Sequence, residues 1–185
     1  MARTPSNMLP LGTLAPSFKL LNPVEGVSQS LQELKSDKGT VIIFMCNHCP
    51  FVKHVMDELV NLAAEYQQKG IAFIAINAND AEQYPDDSPA HMKELAHAMA
   101  FSFPYLYDET QEVAKAYEAA CTPDFFLFDG DLRLVYRGQL DDSRPGSEIP
   151  VTGQDLRKAM DQVLSGEPVF EDQKPSLGCN IKWKA

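Results

Sequence analysis

The chain has 185 residues, 44% of them hydrophobic and 23% charged, with 16 Lys and Arg against 26 Asp and Glu. That length suits one domain with a sizeable core, and a formal charge of −10 argues against nucleic acid or an anionic membrane as partner, because phosphates are repelled. No apolar run approaches the ~18–20 residues that span a bilayer, the start carries no secretory pattern, and four Cys are too few for a disulfide scaffold. The expectation is a cytoplasmic protein whose cysteines do redox or metal chemistry.

In chain order, Ala15-Pro-Ser-Phe-Lys-Leu-Leu21 reads as a short strand ahead of the core. Thr40-Val-Ile-Ile-Phe-Met45 is a continuous apolar, β-branched run, the mark of a strand buried on both faces. It leads into Cys46-Asn-His-Cys49-Pro50, and a helix follows with Val52, Val55, Met56, Leu59, Leu62, Ala63 and Tyr66 on one face and Gly70 as its stop. Pro50 fits the first helical turn, where its missing N–H has no intrahelical partner. Ile71 to Ile76 is a second buried strand, so the unit is a right-handed βαβ crossover.

Asn77 to Pro89 is polar and reads as a surface loop, Ala90 to Ala100 as a helix, and Phe103 to Tyr107 as a short strand that its Pro places at a sheet edge. Thr110 to Ala119 is helical, with Asp108 or Thr110 as N-cap. Asp124 to Asp129 and Leu132 to Arg137 flank an Asp-Gly turn and form a hairpin. A last helix covers Thr152 to Leu164, capped by Thr152 and ended by Gly166. The expected fold class is α/β: a single domain over residues 1–185, a mixed central sheet flanked by helices, an N-terminal extension (1–25) and a C-terminal tail (167–185).

Chemistry concentrates where the first buried strand meets the helix. Helix-terminal N–H groups and the macrodipole stabilise an anion there, so the thiolate of Cys46 is expected to be favoured, with a cationic His48 lowering its pKa further. Cys49 follows as resolving partner. The other readings are half of a zinc site, for which two more ligands are needed and Cys121 and Cys179 form no second knuckle, or inert core thiols. The hairpin returns the chain to the dithiol end, so the loop from Gly138 to Pro150 brings Asp141, Asp142 and Arg144 beside it; Arg144 then binds an anionic substrate or a thiolate, or is one charge of a solvated loop. His54 falls on the exposed helix face, His91 and His97 on a peripheral helix, and Trp183 anchors the tail. The acidic pairs Asp86-Asp87 and Asp141-Asp142 match no calcium loop.

The order of elements, the dithiol after the first long strand and Thr122-Pro123 opening the later strand resemble the thioredoxin-like fold. That resemblance implies a cis-proline at Pro123, packed against the dithiol and holding the Thr122 backbone open for a substrate strand. Gly12-Thr-Leu-Ala-Pro-Ser-Phe-Lys-Leu20 resembles the entry of peroxiredoxins and TlpA-like thiol reductases, and Pro175 to Lys184 with Tyr136 to Arg144 resembles a peroxiredoxin-like group (AhpC/TSA- and TlpA-related). Against the peroxiredoxin pattern Pro-x-x-x-Thr-x-x-Cys, Cys49 aligns with the peroxide-attacking cysteine, while Cys46 stands at the Thr position and Ile42 at the Pro position, and no Arg precedes Thr122-Pro123. Against thioredoxin, Met45 replaces the usual Trp, and no acid lies within Val41 to Met45 to accept the second thiol's proton, leaving His48 or water.

The implied activity is thiol–disulfide exchange, with Cys46 attacking and Cys49 resolving, on protein or small-molecule disulfides and with a thiol reductant; no cofactor and no metal are called for. A peroxiredoxin-like peroxidase with antioxidant activity and a redox-sensing module without turnover are the alternatives. Cys121, two residues before Pro123, and Cys179, in a tail with apolar Ile181 and Trp183, are candidates for additional electron-carrying sulfurs or else small buried hydrophobes.

Overall fold

The computed structural model describes residues 3–185. In chain order the elements are β1 (Arg3–Pro5), β2 (Lys19–Asn22), β3 (Val27–Ser30), α1 (Leu31–Leu34), β4 (Gly39–Phe44), α2 (Pro50–Gln68), β5 (Ala72–Asn77), a 3-10 turn (Pro85–Asp87), α3 (Pro89–Ala98), β6 (Tyr105–Tyr107), α4 (Glu112–Ala116), β7 (Cys121–Thr122), β8 (Asp124–Asp129), β9 (Leu134–Gly138), α5 (Gln154–Ser165) and β10 (Leu177–Asn180). Among the described residues no helix is long and apolar enough to cross a membrane.

Alternation along β4 explains the layers. Successive side chains of a strand point to opposite faces, and all six residues of β4 are buried, so both faces must be covered. Val41 and Ile43 pack with α2 and α5 through Leu59, Leu62, Leu156 and Met160. Ile42 and Phe44 pack on the other face with Leu31, Ala114 and Tyr117 of the α1 and α4 regions. The seven apolar residues read as the inner face of α2 are its buried set, and Pro50 opens the helix at its first position. The seven-stranded sheet runs β3-β2-β6-β5-β4-β8-β9. Its centre is mixed, since β4 pairs parallel with β5 and antiparallel with β8.

Three expectations change. β6 is not an edge strand: it lies between β2 and β5, and Pro104 precedes its first residue, so no ladder donor is lost. Asn77 to Pro89 is not a solvated loop, because Asn77, Asn79, Asp80 and Asp87 are buried. The helices at 110–119 and 152–164 are shorter, and their caps differ. Asp108 binds the Ala114 N–H from outside α4. Gly153, at φ +69, caps α5 where a Cβ would meet Leu62 at 2.7 Å; buried Asp141 accepts the Thr152 and Gly153 N–H groups.

The two ends are woven into the body. β2 belongs to the main sheet, and a second sheet, β1-β10-β7, joins the N-terminal strand, the tail and the residues just before Pro123. Ile181 rather than Trp183 anchors the tail: Ile181 packs in the core, whereas Trp183 is 40% exposed.

Candidate active site

β4 delivers the chain to Cys46 at the end of the sheet, and α2 begins at Pro50 with Cys49 as its N-cap residue. Both thiols are free and neither is open to solvent, at 1% and 0% exposure. The Thr122–Pro123 bond is cis, as the resemblance implied. Thr122 faces both sulfurs: its hydroxyl lies 3.5 Å from Cys46 Sγ, and its carbonyl oxygen lies 3.4 Å from Cys49 Sγ, placed to accept from that sulfur when it is a thiol.

The electrostatics reverse the expected order of the pair. Cys46 does not show the lowered pKa expected of it. Its pKa is pushed well up, first because its S–H donates to Cys49, then by burial and by the nearby charge of Asp87. Cys49 is pulled down to about 5, because Cys46 donates to it, helped by Cys179, the Val52 amide and Thr122, against the cost of burial. The helix start does favour a thiolate, but Cys49 occupies the cap position while Cys46 lies three residues outside the helix. Within the pair the two thiols are pushed in opposite directions, Cys46 up and Cys49 down.

Cys179 is the third sulfur. Its Sγ is 2.6 Å from Cys49 Sγ, and the residue is 2% exposed. It reaches the site through β10, which pairs antiparallel with β7 so that Cys179 stands opposite Thr122. The Thr122 strand edge expected to receive a substrate strand is therefore taken by the chain's own tail. Burial, and then the Cys49 thiolate beside it, push the Cys179 thiol up to about 12. Cys121 does not join the cluster. Its Sγ faces the Pro123 carbonyl oxygen at 3.7 Å, and burial keeps it protonated.

His48 lies against Asp87, its Nδ1 2.5 Å from Oδ2 but with the carboxylate off the ring N–H direction; its ring stacks on Tyr84. Asp87 is fully buried and accepts from the Asn47 N–H and the Asn79 side-chain amide, with the Asn77 amide at 3.4 Å. It supplies the buried acid that Val41 to Met45 lacks. Cys46, His48 and Asp87 each offer one ligand atom within 4.8 Å of the others. A borderline-soft divalent ion takes such donors, though it would compete with the N–H groups already on Asp87.

Arg144 is not held out toward a substrate. Three of its hydrogen bonds go to Asp141 O, Ser143 O and Gln139 Oε1 within its own loop. That loop does come beside Pro123, where Arg144, Phe51 and Leu177 line a small cavity of about 20 Å³. His54, expected outside, is half-buried and ties α2 to the loop through Ser143 Oγ at 2.6 Å. Sequence reasoning missed Asp87 as a site residue, because its cage is assembled from Asn47, Asn77 and Asn79. It also missed Gly178 and Lys182, where the only signal was a glycine and a lysine flanking a cysteine in an aperiodic tail.

A thiol-disulfide oxidoreductase ResA from Halalkalibacterium halodurans is 29% identical over 121 residues, 64% of each chain, so the match spans just under two thirds of that relative. A crystal structure of an uncharacterized conserved protein from Geobacillus kaustophilus superposes with a TM-score of 0.98 at 63% identity, covering 100% of this chain and 97% of that one. The thioredoxin domain of a thiol-disulfide oxidoreductase from Bacteroides vulgatus gives a TM-score of 0.62 at 18% identity over 81% of this chain and 97% of that one, a likeness of fold: the fold is thioredoxin-like. The Redoxin family model matches residues 10–156, from the first loop through the sulfur site into α5, and the chain belongs to the Redoxin family.

Proposed function

We propose that the protein is a thiol–disulfide oxidoreductase whose redox centre is the Cys46–Cys49 pair, with Cys49 as attacking thiolate and Cys46 as resolving thiol. The observation that carries this is the position of Cys49 at the cap of α2, with the Cys46 thiol donating to it. The Cys49 thiolate attacks one sulfur of a substrate disulfide, the S–S bond breaks, and the leaving thiolate takes a proton from Cys46. The Cys46 thiolate then attacks Cys49 in the mixed disulfide and expels the second half of the substrate. Two electrons pass from the dithiol to the substrate, and an external thiol reductant restores the pair.

The occupied Thr122 edge bears on the substrate. A polypeptide that binds by adding a strand needs free N–H and C=O groups, and β10 already pairs with them. A small-molecule disulfide is the substrate class that fits. The peroxidase reading has one observation in its favour: Cys49 stands at the peroxide-attacking position and carries the lowered pKa. Against it, the one Arg that the 138–150 loop brings near Pro123 is bonded into its own loop.

The test is a comparison of rates on the reduced full chain. Oxidised glutathione should be reduced faster than insulin disulfides or a hydroperoxide, each with the same thiol reductant, and Cys49→Ser should abolish the reaction. Faster consumption of hydroperoxide, or full activity in Cys49→Ser, overturns the reading.

A further inference from the structure

The tail brings a sulfur to Cys49 by construction rather than by proximity of a loose end. β10 is held on both edges, by β7 with Cys179 opposite Thr122 and by β1 with Arg3 opposite Cys179. Gly178 permits the approach: a Cβ there would stand 2.0 Å from Thr122 O and 2.6 Å from its carbonyl carbon, backbone atoms that cannot yield. Two residues beyond Cys179, Ile181 is buried in the core and donates its N–H to Ala120 O, and the Lys182 N–H is taken by Asn79 Oδ1. The outcome is a buried Cys179 whose Sγ lies 2.6 Å from Cys49 Sγ, with no atom between them.

Resting on the reading of Cys49 as the attacking thiolate, we infer that Cys179 is a third redox thiol, a second resolving group that forms a Cys49–Cys179 disulfide. Two routes lead there. In the first, Cys49 holds half of a substrate in a mixed disulfide; the Cys179 thiolate attacks Cys49 Sγ, the bond to the substrate breaks, and the substrate thiolate leaves with the proton that Cys179 gave up. In the second, a Cys46–Cys49 disulfide already exists; Cys179 attacks Cys49 Sγ, the Cys46–Cys49 bond breaks, and Cys46 takes the proton. The second route is an isomerisation, with no net electron transfer.

The surroundings of Cys179 make the step depend on redox state. In the reduced protein its thiol is held protonated by burial, and then by the hydrogen bond to Cys49 and the charge upon it. Once Cys49 is in a disulfide, the second and third of these causes vanish, while the field of Lys182 still favours the thiolate. Oxidation of Cys49 thus removes two of the three causes that hold Cys179 protonated, while burial, the largest, remains. The product stores the disulfide on the tail side and leaves Cys46 a free thiol beside the Thr122 hydroxyl and Asp87.

The experiment uses the full chain and an aromatic disulfide whose released thiolate is coloured. Cys46→Ser should release two thiolates per protein, one on attack by Cys49 and one on resolution by Cys179. Cys46→Ser/Cys179→Ser should release one and retain the other half as a mixed disulfide. If Cys46→Ser also stops at one, the inference is overturned. Wild-type protein oxidised by one equivalent, acid-quenched, alkylated and digested gives a check that needs no variant: a Cys49–Cys179 linked peptide supports the inference, and Cys46–Cys49 as sole linkage overturns it. Failure of the underlying reading looks different, because Cys49→Ser would then still release both thiolates.

Discussion

Cys49 and Asp124 are two buried acids set against the same cis peptide bond, one touching the Thr122 carbonyl and the other following Pro123. The fold moves them in opposite directions. Cys49 is pulled down to about 5 by its donors. Asp124 is pushed up to about 7 by burial, against the relief of the Ser6 hydroxyl and the Ala120 and Phe125 amides, and its Oδ2 has no partner among the described residues. Burial is nearly complete for both, so burial does not set the sign. What sets it is whether enough donors face the charge to replace water. Sites that carry chemistry are where such donors gather.

Breaking the Asp124 half of this comparison should have the largest effect on stability. Its folded pKa lies above its unfolded value, so the folded state holds the proton more tightly. The contribution is complete below about pH 4, is lost as pH rises to about 7, and is flat above that. Asp124→Asn mimics the protonated acid and keeps an acceptor for Ser6. Relative to wild type it should gain up to about 4 kcal/mol between pH 4 and pH 8, read by urea denaturation at a series of pH values. A difference curve that stays flat would show that Asp124 ionises without cost.

The two halves were unequally legible in the sequence. The βαβ unit could be read because the period of Val52 to Tyr66 and the run of Thr40 to Met45 are local signals of burial, and the dithiol sits at their junction. The cis-proline followed from resemblance alone. The order of acidity within the pair was not legible, since a spacing of three does not tell which cysteine stands at the helix start; that residue is Cys49, beside Pro50. The tail side was opaque for a different reason. β10 is four residues long, and its partners are 57 and about 175 positions away, at Thr122 and Arg3. Asp87 looked like half of an exposed acidic pair, whereas three Asn residues from two segments make its burial tolerable.

The Cys49 half should show the opposite slope. Its folded pKa lies below that of the unfolded thiol, so in the reduced protein the unfolded state binds the extra proton between about pH 5 and pH 9. Stability from this group is present above that range and is lost as pH falls through about 5. Under reducing conditions, wild type minus Cys49→Ser should therefore rise by roughly 1.4 kcal/mol per pH unit, or about 3 kcal/mol from pH 6 to pH 8. Because the Asp124 and Cys49 slopes oppose each other, wild type should be flatter between pH 5 and pH 7 than either variant. A difference curve that falls with pH would place the charge elsewhere.

The smallest effect tests the opposed shifts within the pair. Thiolate absorbance near 240 nm in the reduced protein should show its first step near pH 5, with Cys46, Cys121 and Cys179 silent until far more alkaline pH. Cys46→Ala removes the donor that contributes most to holding the charge on Cys49, while leaving the helix end, the Val52 amide and Thr122 in place. The step should move up by on the order of one unit. Serine is the wrong replacement for this purpose, because its hydroxyl donates where the thiol did. Asp87→Asn provides the opposite control: it removes a negative charge that acts on Cys46, so the later thiolate step should come earlier, with the first step little moved. A first step that appears only at or above the ~8.5 of a free thiol would mean that the helix cap and Cys46 together do not activate Cys49. A first step unmoved by Cys46→Ala would leave the cap as the sole source of activation and would remove Cys46 as proton donor to the leaving thiolate.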